Sequence, residues 1–412
     1  MHPADISILD YSYHLPDEKI ALYPLEQRDA SKLLIYKQGQ ITSSHFSKIA
    51  DFIPANSLLV FNNSRVINAR ILFTKPTGAK IEIFCLEPAG SITEYSTVMA
   101  QTGSSRWKCL VGGAAKWKEE LLEKKNELDG REVLLHAKMI EKLSDAYIIE
   151  FSWQPASISF AAITEAAGHV PLPPYIKRST RAEDTSRYQT IFAQQQGSVA
   201  APTAGLHFTE DVFTKLKEKN IEKAFLTLHV GAGTFKPVKA AAMQDHEMHA
   251  EYIDVDIDTI EKIKAMTGHI AAAGTTSLRT VETLYWLGVK ALVQPGIEKL
   301  SLEQWDVYQA PLAASMFSKK EALESLVAWL KKNNLQNVFT QTQLLVAPGY
   351  RFRVADLLIT NFHQPQSTLL LLVAAAMGSD WRKLYNYALE NDFRFLSYGD
   401  GNLIFIDRRQ IF

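Results

Sequence analysis

The sequence predicts an α/β protein: a (β/α) barrel-like or parallel-sheet main domain carrying a small inserted antiparallel β-barrel. Three observations predict it. Apolar runs of strand length alternate with helical periods at both ends of the chain, the order that builds parallel sheets. Between them, short β-branched runs follow one another with only turns between. The 412 residues, 47% hydrophobic and 22% charged, suffice for more than one core. The expected division is residues 1–62 with 152–412 for the main domain, and 63–151 for the insert.

A first strand falls at Leu58 to Phe61, after the acidic, proline-containing entry LPDEKIALYPLEQRDASKLLIY. The insert is read from RVINARILF, KIEIFCLEP, EYSTVMA, WKCLVGG, REVLLHAKM and AYIIEFSW as strands, with a charged stretch from Lys116 to Asp129 among them. Ile158 to Ala167 then has a helical period, and Thr209 caps an amphipathic helix with two acids in its first turn. AFLTLHV and EYIDVD read as strands, followed by a helix opening at Asp258, the strand HIAAAG and a helix from Thr276. DLLITNF, the helices STLLLLVAAAM and WRKLYNYALEN, and NLIFI complete the pattern. Residues 288–346 read as a helical and irregular elaboration.

Composition narrows the function classes. The net charge of −1 provides no global field for a polyanion. The two cysteines, Cys85 and Cys109, are far apart in sequence and form no CxxC, which argues against a disulfide scaffold or a thiolate zinc site. The N-terminal stretch has no apolar signal region, and the longest apolar run, Leu369 to Met377, is too short to span a bilayer. A cytoplasmic location without membrane contact is expected.

Five probable strand ends carry clusters rich in Gly, Thr, Asn or His: APTAGLHF, TLHVGAGTF, HEMHAEY, AAGTTSLRTVET and ITNFHQPQST. Ligands of α/β folds bind beyond the carboxyl ends of parallel strands, so these ends are expected to converge on one pocket. In GTTSLRTVE, Thr275, Thr276 and Ser277 with Arg279 would seat an anion at a helix N-terminus; plain N-capping is the competing role. HEMHAE places His246 and His249 three apart, unlike the four of a zincin helix. A set of neutral polar groups with a His or Glu moving a proton fits it better. The bases in PPYIKRSTR and GYRFRV, interleaved with aromatics, suit stacking plus phosphate contact or a solvated surface.

The segments YPLEQRDASKLL, LVFNNSRVINAR, HVPLPPYIKR, RYQTIFAQQQGSVAAPTAGLHFTE, TLHVGAGTFKPV, HEMHAEY, GTTSLRTVET, PGYRFRVADLLITNFHQPQSTLLLLVAAAMG and FRFLSYGDGNLI run in order from Asp10 to Ile404. In these the chain resembles the S-adenosylmethionine:tRNA ribosyltransferase-isomerases of queuosine biosynthesis. The resemblance implies transfer and isomerisation of a ribosyl group from S-adenosylmethionine to an aminomethyl-deazaguanine at the tRNA wobble position, releasing adenine and methionine. It implies tRNA and S-adenosylmethionine as partners, no metal and no redox cofactor; a monomer is the default for the assembly.

On this resemblance, His207, His249, Glu251 and His363 are the expected catalytic residues, with the base His207 or His249 and the acid or orienting group Glu251 or His363. Thr203, Thr275, Thr276, Ser277, Arg279, Tyr350 and Asn361 are expected to bind substrate, with Tyr350 or Phe362 facing the sulfonium. Arg65, Lys177, Arg178 and Arg351 are expected to contact RNA. The chain departs from the family pattern at Asn63, where an aspartate is usual, and at Gln366, where a lysine is common. It is also longer than typical members between Leu284 and Pro348. A metal-dependent hydrolase or transferase and a non-catalytic RNA-binding relative are the competing readings.

Overall fold

The computed structural model describes residues 2–90, 94–118, 120–231 and 242–407. The chain opens with a hairpin of β1 (Lys32–Lys37) and β2 (Gln40–His45), then β3 (Leu58–Asn62) and the short β4 (Ser64–Val66). Next come β5 (Arg70–Thr74), β6 (Lys80–Pro88), α1 (Tyr95–Ala100), β7 (Ser104–Gly112), β8 (Leu122–Leu128), β9 (Arg131–Lys142) and β10 (Tyr147–Gln154). Helix α2 (Phe160–Ala167), β11 (Gly168–His169), α3 (Asp184–Arg187) and β12 (Gln195–Ser198) lead back. The second half holds α4 (Glu210–Glu218), β13 (Glu222–His229), β14 (Glu251–Asp256), α5 (Ile257–Ala265), β15 (Ile270–Ala273) and α6 (Thr275–Val293). It closes with α7 (Lys319–Lys332), β16 (Asn337–Thr342), β17 (Leu357–Asn361), α8 (Thr368–Met377), α9 (Trp381–Glu390) and β18 (Gly401–Phe405).

Nine strands form one mixed sheet in the order β16-β14-β13-β3-β15-β17-β18-β1-β2. Its heart is parallel: β13, β3, β15 and β17 run the same way. Antiparallel strands flank it, β14 and β16 at one edge and the β1–β2 hairpin at the other. The expected barrel-like closure is corrected by this order. It ends at β16 and β2, which do not pair with each other, so the sheet is open. Side chains alternate between two cores, as a covered sheet requires. Leu58, Val60, Ala272 and Leu358 pack on one face, and Leu59, Phe61, Ala273 and Ile359 on the other.

Seven strands, in the order β11-β5-β6-β7-β10-β9-β8, form a separate antiparallel sheet. It curls far enough for β8 to approach β5 without pairing to it. Its inner face, with Trp107, Ile149 and Phe151, is closed by Tyr95, Val98 and Met99 of α1 and by Phe160 and Ile163 of α2. Two expectations change here. EYSTVMA is the helix α1 rather than a strand, because its Tyr95, Val98 and Met99 recur at helical spacing and cap the open end. The charged stretch contains strand β8, which pairs with β9 while its outward face stays polar. Cys85 and Cys109, distant in sequence, face each other across β6 and β7 as free, buried thiols.

One glycine fixes how the two sheets meet. Gly197 has φ +129, and a Cβ there would lie 2.5 Å from the Tyr95 ring. Tyr95 in turn stacks on His229 at the end of β13, with ring centroids 4.5 Å apart. The elaboration after α6 adds α7, which packs against α6, and edge strand β16. No helix among the described residues is long and apolar enough to cross a membrane.

Candidate active site

The carboxyl ends of the parallel strands β13, β15 and β17 point toward one side, and a cleft opens beyond them. It is lined by Tyr175, Tyr188, Ala200 to Ala204, Val230, Gly274 to Thr276, Thr360 to Gln364 and Ser397, among others. Four of the five expected segments contribute lining or backing residues: APTAGLHF, the Val230 end of TLHVGAGTF, AAGTTS and ITNFHQ. Residues 232–235 of TLHVGAGTF lie outside the described residues.

Gly274, at φ +99, ends β15 and serves as the N-cap of α6, with no side-chain cap. The capping role considered for the Thr-Ser cluster is therefore not taken by a side chain. Thr275 and Thr276 line the cleft, and Thr276 Oγ1 is buried without a hydrogen-bond partner among the described residues. Ser277 turns away, donating its hydroxyl to the carbonyl of Ala273 one turn back at 2.9 Å.

From β17, Asn361 enters the cleft 2% exposed, with Oδ1 unpartnered. Thr360 Oγ1 holds His363 Nε2 at 2.8 Å, and the backbone N–H of His363 donates to the Tyr385 hydroxyl at 3.0 Å. Burial pushes the His363 imidazole down to about 3, so the ring is neutral at physiological pH. Thr203, Tyr175 and Phe362 complete the wall, and the Tyr175 hydroxyl is 2.6 Å from Ser397 Oγ.

Of the expected catalytic residues, only His363 lines this cleft. His207 lies one layer behind, its Nε2 3.2 Å from Asn361 Nδ2 and its Nδ1 2.9 Å from Ser31 Oγ. His249 is exposed on the segment leading into β14. Glu251 is buried in an ion pair with Arg279, whose Nε donates to the carbonyl of Leu344 at 3.0 Å. That Arg279 is held by a carboxylate corrects the expectation that it helps seat an anion beside Thr276. Tyr350 is also removed from the cleft: its hydroxyl donates to Glu282 at 2.8 Å and accepts from Trp286 Nε1 at 2.8 Å. Among the described residues, no group of three or more His, Cys, Asp or Glu side chains is arranged to hold a metal ion.

The expected RNA contacts separate similarly. Arg65 and Arg351 are exposed, as is Lys177, which pairs with Asp17 at 2.9 Å. Arg178 is internal: its guanidinium bonds both oxygens of Asp184 at 2.7 Å and lies 4.5 Å from the Tyr23 ring centre. A bidentate pair of this burial is a structural clamp, which corrects its assignment to RNA. Neither Asn63 nor Gln366 lines the cleft. Asn63 Oδ1 accepts from Thr227 at 2.8 Å, and Gln366 is held through its backbone N–H by the Tyr11 carbonyl at 2.9 Å.

Glu282 was not anticipated as a key residue. It is fully buried, and its carboxylate accepts from Tyr350 and from the backbone N–H groups of Arg353, Val354 and Ala355 at 2.8–2.9 Å. It thereby ties α6, which begins at the cleft, to the segment entering β17, which ends there. The signal in the sequence was an acid set among apolar residues of a long helix (TVETLYWLG), one turn after Arg279.

Comparison with known proteins extends this picture. The family model described as "Queuosine biosynthesis protein" matches residues 8–404. A Francisella tularensis subsp. mediasiatica protein named S-adenosylmethionine:tRNA ribosyltransferase-isomerase is 36% identical, covering 96% of this chain and 99% of its own. A Francisella philomiragia protein of the same name is 37% identical over the same shares. The crystal structure of an S-adenosylmethionine tRNA ribosyltransferase from Thermotoga maritima is similar at 27% identity and TM-score 0.46, over 96% of this chain and 99% of that one. The match takes in the cleft segments and the inserted sheet alike, and the chain belongs to the queuosine biosynthesis protein family.

Proposed function

We propose that this chain is an S-adenosylmethionine:tRNA ribosyltransferase-isomerase that works in the cleft at the ends of β13, β15 and β17. In the reaction, removal of a proton from the ribose carbon next to the sulfonium gives a stabilised carbanion, which breaks the bond from the neighbouring carbon to the ring oxygen. That oxygen becomes an aldehyde as protonated adenine leaves. The aminomethyl group of a deazaguanine at the wobble position then adds to the vinyl sulfonium and loses a proton. The regenerated carbanion closes a carbon ring on the aldehyde, and the resulting alkoxide closes the epoxide by displacing methionine. S-adenosylmethionine is consumed as substrate, and the proposal calls for neither a metal nor a redox cofactor.

The observation that carries this reading is the cleft's chemistry: among the described residues, a lining without carboxylate or ammonium, holding unpartnered oxygens at Thr276 and Asn361 and one neutral imidazole at His363. Oxygen acceptors and the rings of Tyr175, Tyr188 and Phe362 suit a sulfonium cation better than a fixed positive wall would. We assign proton acceptance to His363, because among the described residues it is the imidazole that lines the cleft and Thr360 fixes its orientation. Thr203, Thr275, Thr276 and Asn361 are the assigned substrate contacts, and the exposed Arg65, Lys177 and Arg351 the assigned RNA contacts.

The test is incubation with S-adenosylmethionine and an anticodon stem-loop bearing the aminomethyl-deazaguanine. Free adenine and a heavier modified nucleoside are expected, with His363→Ala slowing both by about 10²–10⁴. A stem-loop bound without adenine release would replace this reading with that of a non-catalytic RNA-binding relative.

A further inference from the structure

We propose that Asn361 presents its side-chain carbonyl oxygen to the ligand as a fixed hydrogen-bond acceptor, and that His207 is the positioning residue that keeps the amide turned this way. The proposal rests on the reading of S-adenosylmethionine as the cleft's ligand. It assigns to that ligand an N–H donor opposite Asn361, either the adenine amino group or the α-ammonium of the methionine half.

An asparagine amide has one accepting end and one donating end, and only its neighbours decide which faces where. Behind Asn361 stands the imidazole of His207, 4% exposed and flanked by the Phe46 ring with centroids 4.8 Å apart. Its Nδ1 lies 2.9 Å from Ser31 Oγ, a group that can donate or accept. The amide nitrogen Nδ2 of Asn361 on the other side of the ring can only donate, so Nε2 accepts and the single ring proton sits on Nδ1, toward Ser31. Burial pushes the imidazole down to about 4, so a second ring proton is absent at physiological pH. Nε2 is then a bare acceptor. It lies 3.2 Å from Asn361 Nδ2, which must donate to it. The amide is thereby turned so that Oδ1 is the end left for the cleft, where it is buried and without a partner among the described residues.

This arrangement gives His207 a task its position permits. The imidazole lies behind Asn361, lining a separate small pocket with Ser31 rather than the cleft, but it determines which of two nearly isosteric amide ends the ligand meets. A buried acceptor left unpaired is unfavourable, so a ligand carrying a donor there is favoured over one without it by roughly ten- to a hundredfold.

The experiment compares binding of S-adenosylmethionine, by calorimetry, with binding of two analogues. One has hydrogen in place of the adenine amino group, and the other has hydrogen in place of the α-ammonium. For the native chain, one analogue is expected to bind ten- to a hundredfold more weakly, and which one it is identifies the donor. In Asn361→Ala, S-adenosylmethionine should fall to the level of that analogue while the analogue itself is unmoved. His207→Leu should erase the same preference. His207→Gln, with one accepting and one donating end, should restore it.

Retention of the full preference in Asn361→Ala or in His207→Leu overturns the proposal, as does an equal loss for all three compounds. A second readout needs neither variant nor ligand: nitrogen NMR of the native chain should show His207 protonated at Nδ1 and bare at Nε2. The opposite tautomer overturns the proposal even if S-adenosylmethionine binds. A native chain that binds none of the three compounds and releases no adenine overturns the functional reading and the assigned donor with it, while the tautomer separately reports the direction of the amide.

Discussion

The central strands of the large sheet and the strands of the curled sheet obey different rules of burial. In β3, β15 and β17 every residue is buried, including the polar Asn62, Thr360 and Asn361. In β9 and β10 burial alternates, and polar residues face outward at every second position. A covered sheet excludes polar side chains except where something pays the cost of desolvating them. Polar residues in its strands therefore cluster at the carboxyl ends, beside the cleft. In the curled sheet a polar residue marks only the solvent face. The same residue type is thus informative in one region and uninformative in the other.

The largest effect that would sharpen this contrast is expected at Glu282. Glu282→Ala removes the acceptor that four donors share, and losing a buried hydrogen-bond partner costs about 1–3 kcal/mol. Urea unfolding should show a loss of about 4 kcal/mol or more, and a wild-type midpoint would break the link between α6 and β17. Next, Leu358→Ala in the covered sheet should lose about 2–5 kcal/mol, whereas Glu132→Ala, on the exposed face of β9, should stay within about 0.5 kcal/mol. Equal losses at the two sites would erase the distinction.

The third test uses pH. Burial lowers His207 from 6.5 to about 4 in the folded chain, so the unfolded chain binds the proton more tightly. The resulting contribution, about 3 kcal/mol, is present in full above pH 6.5 and is lost as pH falls from 6.5 toward 4. His229 and His363 are lowered in the same direction by burial and add to the acid side. Chemical denaturation between pH 7 and pH 4 should show stability falling, with a shallower slope in His207→Gln; an unchanged slope in that variant would refute the assignment. The smallest effect is expected at Thr276→Val. Its unpartnered hydroxyl does no work in the fold, so stability should hold while KM for S-adenosylmethionine rises about tenfold. A destabilised variant with unchanged KM would place Thr276 in the core rather than the cleft.

Much of the element order was legible from periodicity. The strand at Leu58, the cap at Thr209, whose side chain accepts from Val212 N–H, the helix over 368–377 and the strand over 401–405 all occur where the pattern puts them. The edge strands β2 and β16 were missed, since edge strands carry weak or mixed patterns, and the interior strand β1 was missed inside the stretch read as an acidic, proline-containing entry. EYSTVMA was misread because a short helix and a short strand share β-branched and aromatic residues.

What the sequence determined by itself was local: which segments are strands or helices, and which strand ends are polar, because period and side-chain chemistry act over a few residues. The tertiary structure alone decided which of those polar ends meet. It brought Thr276, Asn361 and His363 to one cleft, set His207 behind Asn361, and neutralised Arg178 and Arg279 against Asp184 and Glu251. Pairing a strand with one neighbour rather than another costs little in the local pattern, and it moves a side chain from the wall of a site to the core.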